Sequence, residues 1–338
     1  MKMPDAVCVY GAQIMSKHLS AMAGEMDGVR AAEDIEYVHR MRVASRRMRS
    51  ALALFKRCFF KKDYQQINSQ MRTVTKALGE ARDLDVQIAV LNEVEAQYTD
   101  EKLKPGVKRL ILRLTHRRAE AQMHVRFSID QLEQERVLEN TANFLTQFQQ
   151  AKGQVYLFSP SLYQLAFEGI KMRIDALLKH EPYIHDPNNQ AELHAMRISA
   201  KRLRYTLEAF EDLYGSRMKP FINTMKDLQD LLGLIHDMDV WAAFIPEFIE
   251  EERGRIVGYF ANDRPLKRLL PGLEAFRVSR LDVRAKAYDD FILLWQEITS
   301  QNLWQNLLKL INTPIDVDAA MDVMNAVDSE GASEAEQT

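Results

Sequence analysis

Hydrophobic residues recur every three or four positions along most of this 338-residue chain, and the strict alternation typical of strands is nearly absent. Only 13 glycines and 10 prolines interrupt the pattern, most clearly at Pro105-Gly106 and around residues 153–160. This periodicity predicts long amphipathic helices, each of which buries one apolar face against its neighbours. We therefore predict an all-α protein built from helical bundles.

One predicted helix, from Tyr37 to about Phe60, carries an unusual polar face. At 100° per residue its apolar side chains fall on one side, and a ridge of cations falls on the other. The ridge contains His39, Arg42, Arg46 and Arg49. No acidic residue lies within this stretch, so nothing local neutralises the ridge, and Asp34 just before it is a plausible N-cap.

The same arrangement returns 155 residues later, where His194, Arg197, Lys201 and Arg204 repeat the spacing of the first ridge. A single basic amphipathic helix is usually a solvated surface. Two copies with the pattern His-x2-Arg-x3-[Arg/Lys]-x2-Arg indicate a duplicated site instead.

A second internal match supports the duplication. The string that begins at Leu78-Gly79 and ends in Arg-Asp-Leu-Asp-Val returns at Leu232-Gly233, where it ends in His-Asp-Met-Asp-Val. We predict two tandem, pseudo-symmetric four-helix bundles, residues 5–152 and 153–312. The remaining stretch, 313–338, holds seven acids and no Lys or Arg, and we predict that it is disordered.

Composition narrows the compartment and the chemistry. The formal net charge is −3, but the acidic end hides a mildly basic remainder. We expect a cytoplasmic protein that does not associate with a membrane, because the sequence contains neither a signal pattern nor a run of 18 apolar residues. Cys8 and Cys58 do not make a disulfide framework, and we interpret them as two buried or half-buried thiols.

Guanidinium groups on one ridge suit phosphate oxygens, because each presents a planar fork of donors whose charge does not titrate. Each ridge is about 15 Å long at 1.5 Å per residue, which suits a linear polyanion better than a single phosphate. Nucleic acid is the competing polyanion, although few aromatic residues that could stack on nucleobases are interleaved with the basic residues.

The paired acids, Asp83/Asp85 and Asp237/Asp239, have two interpretations. They could bind Mg²⁺ in a phosphohydrolase, or they could hold nearby arginines and histidines in place. Spacing of i, i+2 points the two members of a pair to different helix faces, which weakens the metal hypothesis. Because no nucleophile stands beside a base, we expect no catalysis, no cofactor and no metal.

These motifs resemble the CHAD family, the conserved histidine α-helical domain. The resemblance implies two four-helix bundles around a basic central cavity and the binding of inorganic polyphosphate. It also implies association with a CYTH-type triphosphatase or with polyphosphate granules, although this chain lacks the ExExK strand pattern of such enzymes. The polyphosphate-binding residues that we expect are His39, Arg42, Arg46, Arg47, Arg49, Arg72, Lys76, Arg82, Arg118, His194, Arg197, Lys201, Arg202, Arg204, Lys226, His236 and Arg284.

Overall fold

The structure, a computed structural model, describes residues 5–149 and 159–312. These residues form helices and turns without any β-strand, so the predicted all-α class is confirmed. No helix in these two ranges is both long and apolar enough to cross a membrane. The predicted boundary at residue 152 and the acidic stretch 313–338 lie outside the described residues, and the division of the chain there remains a prediction.

The helices follow one another in a similar order in the two parts of the chain. The first part contains α1 (Ala6–Ala31), α2 (Ile35–Leu54), α3 (Lys61–Gln97), α4 (Lys104–Gln134) and α5 (Val137–Gln149). The second contains α6 (Pro160–Leu178), α7 (Gln190–Ala209), the single-turn α8 (Glu211–Tyr214), α9 (Lys219–Phe260), α10 (Leu270–Ser300) and α11 (Leu303–Ile311).

Local signals placed several helix ends correctly. The Asp34 side chain accepts a hydrogen bond of 2.8 Å from the Glu36 N–H, which confirms the predicted cap of α2. The last helical stretch of each part is not continuous. Each is broken by one residue in the left-handed region, Arg136 (φ 49°) and Asn302 (φ 52°), which a right-handed helix cannot accommodate.

The hydrophobic core formed by the described residues consists of two clusters, and each draws residues from both parts of the chain. The larger cluster includes Met48 of α2 and Leu207 of α7. The smaller lies where α3, α4, α9 and α10 meet, and it includes Leu110 and Trp241. The two parts of the chain are therefore joined through these shared clusters.

An aromatic cluster fixes α2 against α7. The rings of Phe55 and Phe210, which end the two basic helices, lie 6.0 Å apart edge to face, and both are fully buried. Tyr10 of α1 stacks on Phe210 at 6.2 Å, and its hydroxyl donates to the Ala209 carbonyl over 2.9 Å. Gly11 is required here, because a Cβ on it would come within 2.6 Å of Phe55.

The interpretation of Cys8 and Cys58 as free thiols is wrong, because the two form a disulfide. Cys8 begins α1 and Cys58 lies just beyond α2, and the antiparallel packing of these helices brings their ends together. A separation of 50 residues gives no local sign of that proximity. Disulfides are rare in reducing compartments, so this pair does not support the predicted cytoplasmic location.

We predict that reduction of the disulfide destabilises the fold. Closing a loop of this length removes conformational freedom from the unfolded chain, worth about 4 kcal/mol in the chain-entropy treatment. Urea unfolding with and without reductant should show a lower midpoint for the reduced protein. The double variant Cys8→Ala with Cys58→Ala should match the reduced protein and should not respond to reductant. An unchanged midpoint on reduction would contradict the prediction.

Candidate anion-binding site

The packing of α2 against α7 brings the two predicted cationic ridges to one place. The Arg46 guanidinium of α2 lies 5.9 Å from the ring centre of Tyr205 on α7. Nearby, the Glu208 carboxylate of α7 accepts hydrogen bonds from Arg47 (3.1 Å) and from Arg204 (2.8 Å). The ridges therefore meet where the helices cross, as part of one site.

Lys201 lies at the centre of the crowded cations. Its ammonium group is half-buried, and burial together with the positive charges of Arg46, Arg197 and Arg42 lowers its pKa to about 7. The closest of these neighbours come from both α2 and α7. Lys201 forms no ion pair among the described residues. The neighbouring positive charges, together with burial, therefore favour loss of the Lys201 proton in the free protein.

The side chain of the first arginine of each ridge lies close to a glycine of a neighbouring helix. A Cβ added to Gly79 of α3 would contact Arg42 Nε at 3.7 Å, and one added to Gly233 of α9 would contact Arg197 Nε at 3.6 Å. Burial lowers the pKa of Arg42, although the Asp83 carboxylate accepts a hydrogen bond of 3.1 Å from its guanidinium. The small residue of each Leu-Gly motif thus leaves room for a guanidinium to lie close to the backbone.

Three histidines border these arginines. The rings of His194 and His236 lie 4.0 Å apart, and burial with the charge of the neighbouring groups lowers the pKa of His236 to about 4. Burial also lowers the pKa of His39 and of His194. Nδ1 of both His39 and His194 is buried and has no hydrogen-bond partner in the described chain. In the free protein these rings are therefore neutral near pH 7 and have unused polar atoms.

The fourteen cations among the seventeen predicted residues fall into two groups. Within the described ranges, those without a carboxylate partner are Arg46, Arg49, Arg72, Lys76, Arg197, Lys201, Arg202 and Lys226. Those paired with a carboxylate are Arg42, Arg47, Arg82, Arg118, Arg204 and Arg284. Within the described ranges, no carboxylate competes with a ligand for the unpaired group.

Several of the predicted residues, both paired and unpaired, lie in surroundings different from those of Lys201. Arg47 lies beside His18 of α1 and lines a separate cavity with Lys17 and Glu208, so it does not share the surroundings of Lys201. Arg82 donates to Glu36 over 3.3 Å. Arg72 and Lys76 are exposed on α3, where Arg72 lies near Arg49, and Lys226 is exposed on α9.

One acid of each predicted pair accepts a short hydrogen bond from an arginine. Arg118 Nε donates to Asp85 over 2.6 Å, and both side chains are largely buried. The equivalent pair in the second part is Arg284 with Asp239, where Arg284 also donates to the Pro187 carbonyl over 2.6 Å. Burial raises the pKa of Asp85 more than its hydrogen bond to Arg118 lowers it. These contacts favour the positioning hypothesis for the acids.

The sequence did not reveal the role of Glu208. Its carboxylate neutralises Arg47 of α2 and Arg204 of the second ridge, whereas the position 155 residues earlier is Ala53. As a result Arg49, the counterpart of Arg204, has no carboxylate partner in the described chain, and its buried Nε has no hydrogen-bond partner there. Only the departure from the repeat at Ala53 and Glu208 could have indicated this asymmetry.

We predict that Arg46→Gln raises the pKa of Lys201 above its value of about 7, because the nearest positive charge is removed. The measurement is a pH titration of the Lys201 side chain by ¹³Cε NMR. Arg47→Gln is the matched control, since this neighbour on the same helix is not among the charges that act on Lys201. A Lys201 titration that both variants leave unchanged would show that the cations are not crowded.

Comparisons with known proteins agree with this architecture. The model of the CHAD domain family matches residues 13–246. The crystal structure of the CHAD domain from the plant Ricinus communis matches with a TM-score of 0.56 and 22% identity, over 81% of this chain and 94% of that one. PptA from Streptomyces chartreusis matches with a TM-score of 0.55 and 14% identity, over 87% and 99%. These structures share the fold, and among curated proteins none matches the sequence.

Proposed function

Because the chain belongs to the CHAD domain family, we propose that its basic site binds inorganic polyphosphate and does not hydrolyse it. The observation that carries the proposal is the crowding around Lys201, whose pKa falls to about 7 among arginines of two helices. A protein gains nothing from such repulsion unless an anion relieves it. A bound polyanion offsets the repulsion between these cations, and this makes the free energy of binding more favourable.

The shape of the site favours a linear ligand. Unpaired cations extend from Arg197 and Lys201 across Arg46 to Arg49 and Arg72, on three different helices. A single phosphate would contact only a fraction of them. A polyphosphate chain offers a charge at every unit, so it can contact the whole series at once. Hydrogen bonds between charged groups contribute roughly 1.5–3 kcal/mol each, so several together give useful affinity.

Nucleic acid remains the alternative ligand, and the chemistry of the site favours it less. Single strands are bound by stacking of bases on exposed aromatic rings. Tyr205, which lies near Arg46, and Tyr64, which lies near Arg49, are both half-buried rather than fully exposed. The phosphohydrolase hypothesis is also weakened, because Asp85 and Asp239 already bind arginines. Association with a CYTH-type triphosphatase or with granules is a separate proposal.

We predict that affinity rises with polyphosphate chain length until the cations of both ridges are spanned. Arg46→Glu on α2 and Arg197→Glu on α7 should each weaken long-chain binding by about tenfold or more, because each removes a charged contact and adds a repulsive charge. Neither arginine has a carboxylate partner in the described residues, so the reversal breaks no ion pair. The measurement is calorimetry with polyphosphates of defined length.

Lys102→Glu serves as the control for that series, since Lys102 is an exposed lysine in the turn between α3 and α4. It should bind long chains as the wild type does. Two equivalent sites for a short chain, each unaffected by charge reversal on the other helix, would contradict a shared site. Tighter binding of a DNA or RNA strand of equal charge would overturn polyphosphate as the ligand, and phosphate release would exclude a purely binding function.

We also predict that affinity falls as the pH rises above 7. Free Lys201 loses its proton near pH 7, whereas a bound polyanion favours the charged form and raises its pKa. Binding between pH 7 and 9 must therefore take up a proton, which calorimetry in buffers of different ionisation enthalpy measures. The variant Lys201→Arg keeps its charge throughout, so its affinity should be nearly constant over this range. Equal pH dependence in both proteins would show that Lys201 is not the titrating group.

A further inference from the structure

The helix α9 extends farther than its counterpart α3. It ends at Phe260, which is 21 residues beyond Asp239, whereas α3 ends at Gln97, 12 residues beyond Asp85. The additional turns also lie beyond residue 246, where the match to the family model ends. They therefore form a feature of this chain that the family resemblance does not explain.

The extension of α9 forms one wall of a concave pocket of about 710 Å³. The start of α4 and the turn that contains Pro265 and Arg268 provide the other walls. Such a volume falls within the range of small-molecule sites, which is about 300–1,000 Å³. The pocket is far from the basic site, because His236 and Arg255 are separated by roughly 30 Å along α9 at 1.5 Å per residue.

A buried carboxylate fixes the arginines of this pocket. The Glu252 side chain is fully buried, and its two oxygens accept from Arg113 Nε (2.6 Å), Arg255 Nη1 (2.8 Å) and Arg109 Nη1 (3.2 Å). Burial alone would raise the pKa of Glu252, but the hydrogen bonds from Arg113 and Arg255 hold it below its usual value. Three guanidiniums are thus held in fixed orientations by a single negative charge.

Positive charge remains in excess around the pocket. Lys108 and Arg268 also line it, and Arg268 is exposed and has no carboxylate partner among the described residues. Lys108 pairs with Glu95, and Glu251 pairs with Arg117 and Arg255. Five cationic side chains therefore line the pocket, and they are matched by the carboxylate of Glu252 in the lining and by two carboxylates outside it, Glu95 and Glu251. The pocket is suited to an anion that bears more than one negative charge.

Two exposed aromatic rings distinguish this pocket from the basic site. Tyr259 and Phe260, at the end of α9, are 83% and 53% exposed, and both line the pocket. Their ring centres lie 4.8 Å apart, edge to face. Large apolar side chains at the mouth of a polar cavity commonly mark a binding surface. Aromatic side chains beside cations are the combination that binds the base and the phosphates of nucleotides.

We propose that this pocket binds a nucleotide, whose phosphates contact the guanidiniums while its base stacks on Tyr259 or Phe260. Inorganic phosphate chains have no planar ring and would leave the exposed aromatics without a contact. The proposal is independent of polyphosphate binding, since the residues and the location are different.

The test is calorimetry with ATP on the variant Arg46→Glu with Lys201→Glu, so that the basic site does not obscure the signal. ATP should bind this variant with one site per chain, and tripolyphosphate should bind at least about tenfold more weakly because it lacks the base. Tyr259→Ala and Arg268→Glu should each reduce ATP affinity by about tenfold. All four positions are partly or fully exposed, so the variants should fold.

Matched controls lie close at hand. Lys267→Glu makes the same change of charge beside Arg268 at an exposed residue that does not line the pocket, and Tyr183→Ala removes an exposed ring elsewhere. Both should leave ATP affinity unchanged. The proposal is overturned if ATP fails to bind, if Tyr259→Ala and Arg268→Glu have no effect, or if tripolyphosphate binds as tightly as ATP. Polyphosphate binding by the wild type is measured separately, so failure of one proposal does not imply failure of the other.

Discussion

The contact of Phe55 with Phe210 is the interaction on which the basic site depends. These residues end α2 and α7, and their buried rings hold together two helices whose polar faces repel each other. Burying a phenylalanine contributes roughly 1.5–3 kcal/mol, and a well-placed aromatic pair adds about 0.5–1.5 kcal/mol. Tyr10 and Gly11 of α1 complete the contact, so the first helix helps to set the distance between the ridges.

The repulsion between the two polar faces acts against this contact, and it contributes to the lowered pKa of Lys201. Burial, and after it the positive charges of Arg46, Arg197 and Arg42, lowers the pKa of Lys201 from 10.5 to about 7, so the folded chain disfavours the charged form of this side chain. In the unfolded chain Lys201 keeps its proton up to its ordinary pKa, but in the folded chain only up to about 7. This group therefore makes folding stability rise with pH between those values, and its destabilising effect is complete below pH 7. A bound polyanion offsets the part of this effect that comes from the neighbouring positive charges.

Helical periodicity was enough to predict the all-α class and the cationic ridges, because both follow from the positions of residues within single helices. The cap at Asp34 follows the same local logic, whereas the grouping of Arg42 and Arg46 with Arg197 requires the packing of α2 against α7. The pairing of Cys8 with Cys58 depends on how α1 and α2 return upon each other, which no local pattern encodes. The same applies to Glu208, which reaches Arg47 only after the two helices have packed.

Helix ends were harder to predict where tertiary contacts decide them. The breaks at Arg136 and Asn302 occur at residues with no glycine or proline beside them, so the sequence offered no interruption there. The extension of α9 to Phe260 is stabilised by Glu252, whose three arginine partners include two from α4. Those partners are about 140 residues away in the sequence, and their contribution cannot be inferred from the α9 segment alone.

The two cationic regions of the molecule differ in how their charge is held, and this difference accounts for the different ligands that we assign to them. Around Glu252 a buried carboxylate fixes three guanidiniums in one geometry, which suits a compact ligand of defined shape. Around Lys201 most cations have no such partner among the described residues, so their positions are set by helix packing and by mutual repulsion. Side chains held in that way can adjust to a flexible chain of repeated charges, and they gain most from a ligand that contacts them all.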